Sequence, residues 1–160
     1  VGLDGRELYA AKRPYRHSIA WSDLRVVDAV YGRIISIKGI DYRIRLLKGI
    51  NETASAIVSS GWDIPVSHGS EWNRIFYRLT NEVYGMPFNT KASEGDFSHL
   101  AQYHENDLVL YDGNGSASWC QEASRENRVQ RGMQGVSFYN MGNYSNNNRN
   151  FGWRPVLEKV

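Results

Sequence analysis

Val136-Ser-Phe-Tyr-Asn-Met-Gly-Asn-Tyr-Ser-Asn-Asn-Asn-Arg-Asn-Phe-Gly-Trp-Arg-Pro-Val-Leu157 sets two strand-like runs on either side of an amide-rich segment. Asn occupies positions 140, 143, 146, 147, 148 and 150. Each amide in a core needs partners for its donors and its acceptor, so a stretch this dense in Asn, Tyr, Ser and Gly belongs on the surface. Val136–Tyr139 before it and Trp153–Val160 after it read as strands that pin both ends of an Asn140–Asn150 loop. Polar loops held by sheet strands are how rigid scaffolds display recognition residues. Taken alone, the same segment reads as a solvated loop without a task.

Working outward, the second half of the chain continues the pattern of short strands. Leu108–Tyr111, Ala117–Glu122 and Arg128–Arg131 are strand-like, and Asp112-Gly-Asn-Gly is a turn between two of them. Further upstream, Arg33–Leu47 reads as a hairpin about Lys38-Gly39, with Tyr42, Ile44 and Leu46 buried and Arg43 and Arg45 solvated. In Ser70–Leu79, Trp72, Ile75, Phe76 and Leu79 fall on one helical face. Ser67 or Ser70 caps that helix and Gly85 stops it. A shorter helix starts at Ser22 or Asp23, and residues 85–106 read as a surface excursion. Residues 1–20, with Lys12, Arg13, Pro14 and Arg16, read as an arm or linker, and 21–160 as one domain. The opening at Val1 leaves room for a longer native N-terminus. The fold class expected is α+β: a hairpin and helix first, an antiparallel sheet last.

Composition narrows the function. The 160 residues suit a single core, and 19 Lys+Arg against 17 Asp+Glu give a formal charge of +2 in mixed sign. There is no Lys/Arg cluster of the kind that neutralises phosphates, which argues against a nucleic-acid partner. No apolar run reaches the roughly 20 residues of a bilayer span and no signal-peptide pattern opens the chain, so membrane insertion is not expected. A single cysteine, Cys120, excludes an internal disulfide and a four-Cys metal site. His17, His68, His99 and His104 fall in no zinc spacing, and the Asp112 turn lacks the later acidic residue of an EF-hand. Nucleophile-elbow, P-loop and dinucleotide motifs are missing from the sequence. No catalytic residue, metal or cofactor is therefore expected. What is plentiful is the chemistry of contact: ten Tyr and five Trp in a chain 12% aromatic.

The order of three motifs, Trp119-Cys-Gln-Glu, Arg131-Gly-Met-Gln-Gly-Val-Ser and Phe151-Gly-Trp-Arg-Pro-Val-Leu, resembles the C-terminal half of a C-type lectin fold, in the branch shared with formylglycine-generating enzymes. Tyr42-Arg-Ile-Arg-Leu-Leu-Lys-Gly and Ser70-Glu-Trp-Asn-Arg resemble the upstream part of phage and prophage proteins with that C-terminal pattern, so the likeness spans about residues 20–160. The Asn/Tyr/Ser segment ending at Gly-Trp-Arg-Pro is similar to the variable region of a diversity-generating retroelement target protein.

The resemblance implies a lectin-type fold of short antiparallel strands with one or two helices, and a variable region at about 117–150. It implies that Trp119, Glu122, Arg131, Gly132, Gly152, Trp153 and Arg154 are scaffold; Arg131 and Arg154 themselves read either as buried charges paired with carboxylates such as Glu122 or as solvent-facing residues. It places Ser124, Glu126, Asn127, Tyr139, Asn140, Asn143, Tyr144, Asn146, Asn147, Asn148 and Asn150 on or near a ligand-binding face. The implied function is non-enzymatic attachment to a host cell-surface protein or glycan, on a virion surface such as a tail-fibre tip or on a microbial cell surface. A homo-oligomer, such as a trimer on a fibre, is implied as well, though no heptad repeat supports one. The competing expectation is an undiversified structural domain of a tail fibre or baseplate. Formylglycine-generating enzymes work with two cysteines, so that activity is not expected here. Calcium-dependent sugar binding is not expected either, because the Glu-Pro-Asn or Gln-Pro-Asp and Trp-Asn-Asp motifs are missing.

Overall fold

The computed structural model describes residues 2–50, 61–62, 69–77, 79–80, 103–109, 113–124, 126–136 and 138–160. Among these, β1 (Gly2–Leu3), β2 (Arg6–Ala10), β4 (Arg33–Ile37), β5 (Ile40–Arg45) and β11 (Val156–Lys159) form an antiparallel sheet in the order β1-β2-β11-β5-β4. The second sheet combines β3 (Arg16–His17), β6 (Gly61–Trp62), β7 (Ala117–Ser124), β8 (Asn127–Arg131), β9 (Phe138–Asn143) and β10 (Phe151–Trp153). Its order is β3-β10-β7-β8-β9-β6, with β10 and β7 parallel and the other pairs antiparallel.

This corrects the expected fold class. The chain is mostly β, built on two sheets, and not the α+β lectin arrangement. Helix among the described residues is short: α1 (Trp21–Val26), α2 (Glu105–Leu108) and a π-helical turn at Asn73–Tyr77 that Glu71 and Trp72 lead into. The helical face at 72–79 is present, since Trp72, Ile75 and Phe76 are buried and the Ser70 hydroxyl accepts the Asn73 amide hydrogen at 3.2 Å. Asn73–Tyr77 winds as a π turn, with Asn73 and the preceding Glu71 accepting from the buried Arg131 and Arg45. Gly85 and nearly all of the 85–106 excursion lie outside the described residues, as do Leu110–Asp112; Leu108, expected in a strand, closes α2.

Residues 1–20 are not an arm. They supply β1, β2 and β3, and Leu3 and Leu8 are buried in the main core. β2 pairs with β11, Leu8 opposite Glu158, a pairing that joins the two ends of the chain. The Trp153–Val160 run is likewise two strands, divided at Arg154-Pro155 so that β10 joins one sheet and β11 the other. Proline has no amide hydrogen to donate to a ladder, which explains the division.

The expected hairpin forms. Lys38 and Gly39 have φ of 52° and 79°, the left-handed pair of a two-residue type I′ turn. Its expected polarity does not hold throughout, because Arg45 is buried. It donates to Glu71 at 2.7 and 2.8 Å and to Glu158 at 2.8 Å, and Arg6 reaches Glu71 at 3.2 Å. Burial would raise the Glu71 carboxyl, but the Arg45 contacts outweigh it and hold the group below its ordinary value.

Two apolar clusters cover opposite faces of the second sheet. Cys120, Val129 and Tyr139 face one, with Trp72, Phe76 and Val136; Ala117, Trp119 and Phe151 face the other, with Trp21 and Leu24 of α1. Three buried indoles each donate to a carbonyl, Trp21 to Cys120, Trp72 to Val136 and Trp119 to Ile19, at 2.7–3.0 Å. They fix the two layers to the sheet with no polar atom of the ring left dry.

Candidate functional site

The β8–β9 ladder decides which expected site residues reach solvent. Its register pairs Asn127 with Asn143, Gln130 with Asn140 and Arg131 with Tyr139. Where both faces are covered, alternation buries both sets of side chains. Tyr139 is therefore a core residue, 0% exposed, and is corrected from the ligand face; burial pushes its phenol up in pKa. Asn140 is half-buried and donates to Gln130 at 3.0 Å. It lies in β9, not in the loop.

At the open end of the same ladder the two layers run out. Glu126 and Asn127 are exposed, Asn143 is half-buried and Tyr144 is exposed. The Tyr144 amide donates to the Glu126 carbonyl at 2.9 Å, and the Ser22 amide of α1 donates to the Tyr144 carbonyl at 3.0 Å. Ser124 ends β7 opposite Asn127. These residues are thus brought to one edge of the molecule, where the loop 144–150 begins.

The loop is shorter than expected and largely self-supporting. Tyr144, Asn146, Asn147 and Asn148 are exposed, while Asn150 is half-buried. Asn143 Oδ1 accepts from the Ser145 amide at 3.0 Å and hydroxyl at 2.7 Å. Asn146 Oδ1 accepts the Asn148 amide at 3.0 Å, and Asn148 Oδ1 accepts the Asn150 amide at 3.1 Å. These i to i+2 contacts are Asx turns, the reason Asn suits such a backbone. The far end is tied by Gly115 donating to the Arg149 carbonyl at 2.8 Å and Ala117 donating to that of Asn150 at 2.8 Å.

Beside the loop lies a ladder of rings and guanidinium groups that sequence spacing did not show. Arg128 lies 4.3 Å from the Trp21 ring centre and 5.4 Å from that of Tyr144. Trp21 meets Tyr31 edge-on at 6.1 Å, and Arg25 lies 5.3 Å from Tyr31. Tyr31 and Tyr144 are exposed at the margins, 52% and 39%. Aromatic rings and arginine are the side chains that most often anchor protein interfaces. The five come from positions 21–31 and 128–144, and the docking of α1 on the ladder joins them.

Of the expected scaffold residues, Trp119, Arg131, Gly132, Gly152 and Arg154 are buried, and Glu122 and Trp153 are partly so. Trp119, Arg131 and Arg154 are buried to 1% or less. Arg131 is not paired with Glu122. It donates to the carbonyls of Gly49 at 2.6 Å and Phe138 at 3.2 Å and to Asn73 Oδ1 at 2.6 Å. Glu122 holds the same Gly49 segment from the other side, accepting its amide hydrogen at 3.0 Å. Burial raises the Glu122 carboxyl to about 7. Arg154 donates to the Leu108 carbonyl and stacks on Phe76 at 4.7 Å and Trp72 at 5.1 Å, while its Nε and Nη1 have no partner. Burial pushes it down to about 9. Gly132 takes φ of 90°, and a Cβ there would meet Trp72 and Val109 at 3.2 and 3.1 Å. At Gly152 a Cβ would meet Pro14 at 2.8 Å. Trp153 is half-buried, edge-on to Tyr15 at 6.2 Å.

Cys120 is 0% exposed, and burial pushes its thiol far up in pKa, so it presents no thiolate to solvent. His17 and His104 are exposed; His68 and His99 lie outside the described residues. Among the described residues no group of three or more His, Cys, Asp or Glu is placed to hold a metal ion, and no helix is long and apolar enough to cross a membrane. Comparison with family models, curated proteins and solved structures finds no match to this chain.

Proposed function

We propose that this chain is a non-enzymatic ligand-binding domain that presents loop 144–149, with Tyr31 and Arg128 beside it, to a host cell-surface protein or glycan. The observation that carries the reading is the pairing of exposure with support. Tyr144, Asn146, Asn147 and Asn148 are solvent-facing, yet both ends of their loop are held by backbone hydrogen bonds. Such a surface binds without first ordering a floppy segment, which reduces the entropy lost on association. The resemblance to retroelement variable proteins supports a diversified attachment role on a virion or microbial surface. Substitution at the exposed amides leaves the buried clusters untouched.

A second reading, an undiversified structural domain of a tail fibre or baseplate, is favoured by the Asx turns. Asn143, Asn146 and Asn148 already have a local use for their side-chain oxygens.

Sequencing the gene from many clones of one lineage separates the two. Diversification predicts changes concentrated at codons 126, 127, 143, 144 and 146–148, sparing Trp119, Arg131, Tyr139 and Arg154. Uniform sequence, or change scattered across core and surface alike, overturns the first reading.

A further inference from the structure

We propose that a cleft between the β1–β2 turn, the segment after β5 and the π-helical turn binds a small anion, a carboxylate or phosphate on a hydroxylated body such as an acidic sugar. The cleft has a volume of about 310 Å³ and shares no residue with loop 144–149, so the proposal does not rest on the attachment reading. That volume is at the lower end for small-molecule sites and suits a single sugar ring. Arg6 of β2, Lys48 after β5 and Arg74 of the π turn line it, with Asp4, Ser70 and the buried Ile50. The three cations are far apart in sequence and converge only in the fold.

Two carboxylates line the same cleft and are held differently. Glu71 is buried, and Arg45, which does not line the cleft, donates to both its oxygens at 2.7 and 2.8 Å. Asp4 is exposed and accepts two hydrogen bonds from the Arg74 guanidinium, at 2.6 and 2.7 Å. That bidentate pair displays the geometry this fork offers to any carboxylate or phosphate. Because the pair is largely exposed it adds little to stability, and an incoming anion displaces it at little cost. Asp4 stands with Gly5 in the two-residue turn between β1 and β2, so its side chain can swing out without breaking the ladder.

The neighbouring groups complete the site. Arg6 lies 3.6 Å from the same Asp4 carboxylate, so an anion in the place of Asp4 meets two guanidinium groups. Ser70 is 2% exposed; its oxygen accepts the Asn73 amide hydrogen at 3.2 Å, and its own hydrogen remains for a ligand. Ile50 supplies an apolar wall. With Glu71 neutralised by Arg45, the described lining carries an excess of positive charge, and a concave surface of that sign concentrates anions. One converging set of cations holds one anionic group; a nucleic acid would need a row of them along successive phosphates.

Titration of the isotope-labelled whole chain with glucuronate, glucose 6-phosphate and glucose, at constant ionic strength and followed by amide chemical shifts, tests it. The two acids should bind saturably and shift the amides of residues 4–6, 48 and 69–74, and glucose should not. Tighter binding of glucuronate assigns a carboxylate ligand, and tighter binding of the ester a phosphate one. Arg74→Gln should weaken binding about tenfold or more, as loss of a charge-assisted pair of hydrogen bonds does. Asp4→Asn clears the fork of its own carboxylate and should tighten binding instead, with both variants checked for folding by circular dichroism. Shifts that do not saturate, equal binding of glucose, indifference to Arg74→Gln, or an Asp4→Asn variant that binds no tighter than the parent would each overturn the proposal.

Discussion

Two buried arginines, Arg131 and Arg154, do opposite things to the fold. Arg131 satisfies three oxygens that have no route to water, the carbonyls of Gly49 and Phe138 and the Asn73 amide oxygen. Arg131→Met takes the guanidinium from all of them, leaving the Phe138 carbonyl only the Gly132 amide, and should cost about 3–5 kcal/mol, read as a lowered Tm. Arg154 leaves two of its own donors dry against Trp72 and Phe76. Arg154→Met keeps the packing and sheds the buried charge, so its Tm should equal or exceed the parent's; Arg154→Ala, which empties the site, should lower it. Equal losses for the two Met variants would contradict this assignment. Glu122 adds a pH signature. Its folded value, about 7, lies above the ordinary 4.5, so its proton stabilises the fold below pH 4.5 and that contribution is lost as pH rises to 7. Relative to the parent, Glu122→Gln should be similarly stable at pH 4.5 and gain on the order of 3 kcal/mol by pH 8. A gain that does not vary with pH would sink this reading of Glu122.

At the scale of single elements, local signals were legible and covered faces were not. Lys38-Gly39 announces its turn because a type I′ turn needs two adjacent left-handed residues, a demand contained in the dipeptide. Ser70 and Trp72 announce a helical start for a similar reason. The resemblance sets Tyr139 on the ligand face and the structure buries it, and alternation could not have told, since it shows which residues share a face and nothing of what lies over it. The amide run was legible as surface but not as Asx turns, which depend on backbone geometry at each step. Those turns divide the loop. Asn148→Ala removes the acceptor of the Asn150 amide and should speed amide exchange across 148–151. Asn147→Ala, which breaks no such contact, should leave exchange and Tm unchanged and alter ligand capture alone. Matching exchange profiles for the two variants would count against the division.

At the scale of the whole molecule, the least legible feature is the closure of the first sheet by both ends of the chain. β2 and β11 carry no mutual signal in the sequence, and the basic residues at 12–16 give the N-terminus the look of a linker. Leu8, 0% exposed beneath that closure, shows how much depends on it. Leu8→Ala should cost about 2–5 kcal/mol, as truncation of a buried leucine does, where a linker residue would cost almost nothing. The same architecture explains how exposed amides and a stiff body coexist: the clusters on both faces of the second sheet take no residue from 144–150. Protease resistance of a saturation library at Trp119, Arg131, Tyr139, Tyr144, Asn146 and Asn147 measures that separation directly. Most substitutions at the last three should remain resistant and most at the first three should be cleaved; a loop as intolerant as the core would contradict the account.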